Sequence, residues 1–447
     1  YKRSCFRNDR ISYIVLSTYS MTQLRNHLLL LLFLIVVSCN PEKEENVATT
    51  IITKWPDDKR GAVSITYDDG IINQLTVARP IMNRMGLPGT FFIITGKVEG
   101  AAQGKFIGRS PEDIIAETAN EKTREDNFFE RASLIAFTGT TEAVDYHSRA
   151  GSLYESGRVK EAHALMDEAY VRLRKGELKN SDEVVFHDNK EDTTSWEDYR
   201  RYAAEGHEIA SHTVTHARLA VLDEPNLLYE LEQSKKDIEE NLGFEYTFSV
   251  ECPYGTENER VMEYAYDVYP ALRNRMPAPY LAELNRGSDA DPTTFEKEYV
   301  QWQRGPLTDI SMDEMKSWVD ITGEHDNIWL VLVFHGVNEF GWEPRTDEEL
   351  EEYFSYIKDR EANLWVATFG DVTKYIRERK DAVVETSLSG TEIEVNIKST
   401  LFPVMYNVPL TFKTYVPSDW KRILVDGKEA EVMNDSLGAY VMYLSLI

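Results

Sequence analysis

Five short apolar runs recur along this chain: Ala62 to Thr66, Gly89 to Thr95, His207 to Ser211, Tyr246 to Val250 and Trp329 to Phe334. Amphipathic, helix-forming stretches lie between them. Runs of this length read as buried strands, and strands alternating with helices call for a parallel α/β sheet or barrel. One intervening helix marks both of its ends. Asp223-Glu224-Pro225 offers a capping carboxylate and a proline suited to the first turn, Leu227, Leu228, Leu231 and Ile238 share a face, and Gly243 stops the pattern. Such sheets place their chemistry at the C-terminal ends of their strands, so the residues just after each run carry the most information.

At 447 residues the chain exceeds one ordinary compact domain, and 42% apolar with 28% charged residues excludes a disordered or polytopic membrane chain. The 49 basic and 76 acidic side chains give −27, a field that repels phosphate backbones and excludes nucleic acid as a partner. Met21, Arg25 and His27 precede an apolar run from Leu28 to Val37. Ten apolar residues cannot span about 30 Å of hydrocarbon, which takes about 20, so the run reads as the core of a signal peptide. Val36-Val37-Ser38-Cys39 resembles a bacterial lipobox, which implies an exported lipoprotein anchored to a membrane of the cell envelope through Cys39. Residues 1–39 are accordingly expected to be an upstream extension plus signal peptide, and 40–58 a linker. Cys252 is then the only cysteine left in the folded part, so no internal disulfide is expected.

The α/β body is expected over 59–379. Within it, residues 97–193 form a charged, helix-rich excursion in which Tyr146, Ala150, Leu153, Gly157, Ala162, Met166 and Ala169 fall near the spacing of a tetratricopeptide helix pair. A single repeat has no neighbour to stack on, so the excursion reads as an inserted helical hairpin. After Arg379, alternation from Thr391 to Lys398, the run Val408 to Val416, the turn Asp426-Gly427 and an apolar stretch from Gly438 predict a small all-β module over 380–447.

Four polar clusters follow the strand-like runs. Thr66-Tyr67-Asp68-Asp69-Gly70 carries adjacent carboxylates, which need a cation or a proton to sit together. In Ser211-His212-Thr213-Val214-Thr215-His216, two imidazoles four apart are expected on one side of a helical turn, and one carboxylate would complete the three protein ligands of an open divalent site. The third cluster is Glu251-Cys252-Pro253-Tyr254-Gly255, and the fourth is Leu332-Val333-Phe334-His335-Gly336. Because each cluster ends a strand, all four converge on one face if the sheet closes.

Together these motifs resemble the polysaccharide deacetylases of the NodB-homology type, carbohydrate esterase family 4. Thr66 to Gly70 matches the first family motif, His212 to His216 its His-Ser/Thr-x-x-His motif, Pro253-Tyr254-Gly255 the end of the third, and Leu332 to His335 the last. The resemblance implies a distorted (β/α) barrel that removes N- or O-acetyl groups from a glycan. It implies a divalent metal, usually zinc, on Asp69, His212 and His216, with Asp68 as the base that activates water. His335 would protonate the leaving group, and the Tyr254 N–H would help hold the oxyanion. Glu251 stands where the family often has an arginine supporting the catalytic Asp, and the Asp-containing fourth motif is not recognisable, with Trp302 and Arg304 near its place. The departure at Glu251 and the β-module keep a second expectation open: a catalytically impaired barrel that serves as a cell-surface glycan-binding lipoprotein.

Overall fold

Gly61–Tyr67 (β1) and Ile328–Phe334 are buried at every position, as strands covered on both faces must be. In the computed structural model, which describes residues 10–18, 46–102, 104–180, 194–276, 281–305 and 309–447, β1 lies inside a nine-stranded sheet. The others are β2 (Thr90–Ile93), β3 (Glu208–Ser211), β4 (Ser249–Val250), β5 (Ala271–Leu272), β6 (Leu281–Leu284), β7 (Tyr299–Arg304), β8 (Ile328–Phe334) and β9 (Leu364–Val366). The spatial order is β5-β4-β3-β2-β1-β8-β7-β6 and every pairing is parallel. β9 pairs with the first half of β1, through Gly61 to Val63, while β2 takes Thr66 and Tyr67. Sharing one edge between two short strands distorts the barrel expected from the sequence.

The core of this unit, Arg60–Thr373, joins inward residues such as Ile65, Phe91, Ile209, Leu330 and Leu332 to apolar faces of the surrounding helices. Tyr67 stacks on both Phe91 and Phe334, with centroids 5.5 and 5.2 Å apart, directly beneath the strand ends. Such pairs add about 1 kcal/mol each beyond their burial. The predicted helix is Glu224–Asn241, with one difference at its start: Asp223 makes no capping bond to the helix backbone and accepts from Ser133 Oγ and Asn226 Nδ2 instead.

The insertion contains α1 (Pro111–Glu117), α2 (Phe128–Ala136), α3 (Thr141–Glu155) and α4 (Val159–Arg174), with α3 and α4 forming the expected hairpin. Ala150, Ala162, Met166, Ala169 and Tyr170 close its own small core against Phe128 and Ile135.

The second unit comprises the chain up to Lys59 and from Lys374 onward, so its division from the barrel falls shortly before Arg379. One of its antiparallel sheets contains Leu410–Val416 and Gly438–Ser445 and also takes Thr50–Ile52, which had been expected in a linker. The other contains the hairpin Ile423–Val425 and Lys428–Ala430, turned at Asp426 (φ 48°) and Gly427 (φ 78°). Between Glu392–Ser399 and Ile423–Val425 lies Arg10–Thr18, antiparallel to both. Those nine residues, expected to be an extension outside the fold, are a central strand. The signal-peptide core Leu28 to Val37 and the lipidation site Cys39 lie outside the described residues. Cys252 is buried and unpaired.

Candidate active site

Every residue of the site follows a parallel strand: Asp68 and Asp69 after β1, His212 after β3, Glu251 and Tyr254 after β4, Arg273 after β5, and His335 after β8. The β1 and β8 ends are tied together by Asp68 N–H donating to Phe334 O at 3.0 Å, and by Gln74 Nε2 donating to Asp68 O at 2.6 Å and His335 O at 2.9 Å. Gly70 is left-handed (φ 66°), and a Cβ there would fall 2.6 Å from the Tyr199 hydroxyl, so that position requires glycine.

The two histidines do not share a helical turn. Residues 212–216 form a loop in which Thr213 (φ 66°) and His216 (φ 65°) are left-handed. Its shape comes from Glu230, fully buried on the following helix, whose carboxylate accepts from Val214 N at 2.8 Å, Thr215 N at 2.9 Å and Thr215 Oγ1 at 2.6 Å. Asp69 (φ 75°) and Tyr254 (φ 64°) are left-handed as well. Such conformations cost of order 1–3 kcal/mol each and persist where the surrounding structure over-determines them.

Asp69 Oδ1 lies 3.6 Å from His212 Nε2 and 3.4 Å from His216 Nε2, and three ligand atoms of these residues all lie within 4.8 Å of one another. His212 Nδ1 sits 3.0 Å from the Glu251 carbonyl oxygen. A carbonyl only accepts, so Nδ1 carries a proton, and Nε2 is the ring nitrogen that faces Asp69. Burial, helped by the neighbouring His212 and Lys97, holds His216 well below the usual imidazole range, in its neutral form. Two imidazoles and a carboxylate fit a divalent ion of the zinc type.

Beside this triad stands Asp68, 2% exposed. Arg273 grips it with a two-pronged fork, Nη1 to Oδ1 and Nη2 to Oδ2, both at 2.6 Å. Burial works to raise the Asp68 carboxyl, but the Arg273 charge and its hydrogen bonds, with His335 and His212, hold it well below the usual carboxylate range. Arg273 also donates to Thr66 Oγ1 at 3.0 Å and pairs with Glu251 at 3.1 Å, and its own carbonyl accepts from Gln301 and Gln303. Burial pushes Glu251 well up from the usual carboxylate range. The arginine support that Glu251 does not give Asp68 is therefore supplied one strand further along the sheet. His335 Nε2 lies 3.5 Å from Asp68 Oδ2, and the His335 ring packs edge-on against Trp342 at 4.7 Å. Burial lowers the His335 imidazole.

Asp68, Asp69, His212, His216, Glu251, Tyr254, Arg273 and His335 open into a cavity of about 770 Å³, also lined by Lys97, Arg218, Arg286 and Trp342. The sequence missed Arg273, Gln74 and Glu230. Of the two residues placed near the missing fourth motif, Trp302 lies in the core and Arg304 packs over it at 4.9 Å, so neither reaches the cavity; their neighbour Gln303 does.

The family model described as polysaccharide deacetylase matches residues 162–268, a segment that holds His212, His216 and Tyr254. Asp68, Asp69, Arg273 and His335 join it in space. A gellan lyase of a Bacillus species is 27% identical over 239 residues, covering 50% of this chain and 10% of that protein, so the chain spans a tenth of this relative's length. Among solved structures, the carbohydrate esterase family 4 domain of a xylanase from the hindgut metagenome of Trinervitermes trinervoides shares 12% identity at a TM-score of 0.33, over 70% of this chain and 90% of its own. The chitin deacetylase of Colletotrichum lindemuthianum shares 13% at 0.34, over 70% and 88%.

Proposed function

We propose that this chain, which is of the polysaccharide deacetylase, NodB-homology type, hydrolyses acetyl groups on a carbohydrate with the help of a divalent metal. The observation that carries the reading is the meeting of Asp69, His212 and His216 beside an arginine-held Asp68 in one cavity. Asp69, His212 and His216 would hold the ion, zinc being the best match to two imidazoles and a carboxylate. When bound, such an ion lowers the pKa of water from about 15.7 toward 7 and polarises an acetyl carbonyl.

The remaining steps belong to the chain's own residues. Asp68, fixed by the Arg273 fork, accepts the proton of the attacking water at one carboxylate oxygen. The backbone N–H of Tyr254 donates to the oxygen on which charge develops. His335 delivers a proton from Nε2 to the departing nitrogen or oxygen, so that the sugar leaves neutral. Gln74 keeps the Asp68 and His335 strand ends at a fixed spacing.

The impaired-barrel alternative rested on Glu251 and the β-module; the Arg273 fork answers the first of these and favours the enzyme. The proposal extends to an exported protein anchored through a lipid on Cys39. The decisive experiment is acetate release from a panel of N- and O-acetylated sugars before and after chelation. Release that disappears with the metal and returns with zinc supports the reading, and metal-independent release or none from any substrate overturns it.

A further inference from the structure

Besides Arg273, two arginines line the cavity, one beside each flank of the reacting cluster, and both are held by the same three devices. On the His216 side, Arg218 lies over the Tyr254 ring, 4.4 Å from its centroid, and donates through Nη1 to Glu155 Oε2 at 2.6 Å. Its stem crosses Gly151 of α3, where a Cβ would land on Arg218 Cδ. On the His335 side, Arg286 lies 4.4 Å over Trp342 and donates through Nη2 to Glu343 Oε2 at 2.5 Å. Its stem crosses Gly305, where a Cβ would fall 2.5 Å from Arg286 Cδ and Nε. Tyr254 in turn packs on His216 and Trp342 on His335, each at 4.7 Å. Each guanidinium therefore stands one ring away from a site imidazole, His216 of the metal triad or His335 beside Asp68.

The ring contact and the ion pair hold each guanidinium in one orientation on the cavity wall. Arg273 is already committed to Asp68 and Glu251, and Glu155 and Glu343 offset the charges of Arg218 and Arg286. Each of those pairings uses a single Nη, however, and Arg218 Nε is buried with no hydrogen-bond partner among the described residues. A pre-positioned guanidinium with donors to spare on a cavity wall matches a carboxylate.

We propose that the substrate is an acetylated glycan carrying sugar carboxylates, with Arg218 and Arg286 each receiving a uronate next to the acetylated unit. The proposal rests on the deacetylase reading and names its substrate class. The insertion then has a task, since α3 supplies both Glu155 and Gly151 to the Arg218 clamp.

The test compares acetylated oligogalacturonides as free acids with the same compounds after methyl esterification. The expected kcat/KM ratio favours the acid by about 10- to 100-fold, the size of one charge-assisted hydrogen bond. R218Q and R286Q should each move this ratio toward one. G305A, which keeps every charge but displaces Arg286, should move it too. A methyl ester hydrolysed as fast as the acid, or variants that slow both substrates equally, overturns the proposal. If no acetate is released from any substrate, the deacetylase reading falls, and calorimetry decides the carboxylate site separately. Tighter binding of unacetylated oligogalacturonide than of its methyl ester, weakened by R286Q, upholds it, and equal binding overturns it.

Discussion

Arg273 is the residue on which the proposed chemistry leans most, and its removal has calculable consequences. Its side chain and that of Asp68 are each 3% exposed, with Glu251 at 5% on the other side of the guanidinium. Arg273→Gln leaves both carboxyls buried without their cation, a loss of about 3–5 kcal/mol when one member of a buried pair is deleted. That is a large share of the roughly 5–15 kcal/mol that holds a domain together, so the melting temperature should fall by several degrees or more. Arg273→Lys separates charge from geometry. One ammonium keeps the cation but cannot donate in parallel to both oxygens. Folding and metal content should survive, while kcat on 4-nitrophenyl acetate falls about 10- to 100-fold with KM little changed, since a mispositioned base forfeits part of its roughly 10²- to 10⁴-fold contribution. Glu251→Arg combined with Arg273→Gln moves the arginine to the end of the neighbouring strand and should recover part of both losses. An Arg273→Lys enzyme with full kcat, or a double variant no better than Arg273→Gln, would refute the assignment of Arg273 as the positioning group.

Replacing Asp69, His212 or His216 by Ala should remove metal and turnover together, whereas Asp68→Asn should keep the metal, read by plasma mass spectrometry, and lose about 10²- to 10⁴-fold in kcat. Mass spectrometry of the membrane fraction should find a lipid-modified chain starting at Cys39, and Cys39→Ala should release it; a purified protein that retains Arg10–Thr18, the strand between Glu392–Ser399 and Ile423–Val425, rules that processing out. Burial raises Glu257 to about 7. The folded state therefore holds a proton that the unfolded chain releases near 4.5, and stability should decline as pH rises from about 4.5 to 7, by up to about 3 kcal/mol. Glu257→Gln should flatten that decline in urea titrations; an unchanged slope would show that Glu257 does not titrate in this window.

The residues that announced themselves in the sequence were those following long apolar runs. β1 and β8 are seven residues each, so the pattern of apolar residues alone puts Asp68, Asp69 and His335 at strand ends. Arg273 follows β5, only two residues long, which leaves no periodic signature to mark it. Glu230 reads as one more charge on an amphipathic helix, and only the fold shows it buried under the histidine loop. That loop also explains why a four-residue His spacing misled: the same interval serves a helical turn or a bent loop, and the left-handed Thr213 and His216 choose the second. The clamps join Arg218 to Glu155 across 63 positions and Arg286 to Glu343 across 57, and both pass over glycines that carry no local signal. Pairings of Thr50–Ile52 and Arg10–Thr18 with strands hundreds of residues away were equally out of reach of local pattern.

The strand Thr50–Ile52 imposes an order on synthesis. Ile52 lies opposite Phe412, so its partner leaves the ribosome 360 residues later, roughly 20 to 70 s at 5–20 residues per second. Every strand of the barrel, through Val366, emerges in that interval. The barrel can thus be complete while this short strand of the other unit still waits with open hydrogen-bonding edges, an invitation to wrong pairing on a crowded polysome. Only three residues long, it offers few bonds to a stray partner, and its brevity is a safeguard for the nascent chain.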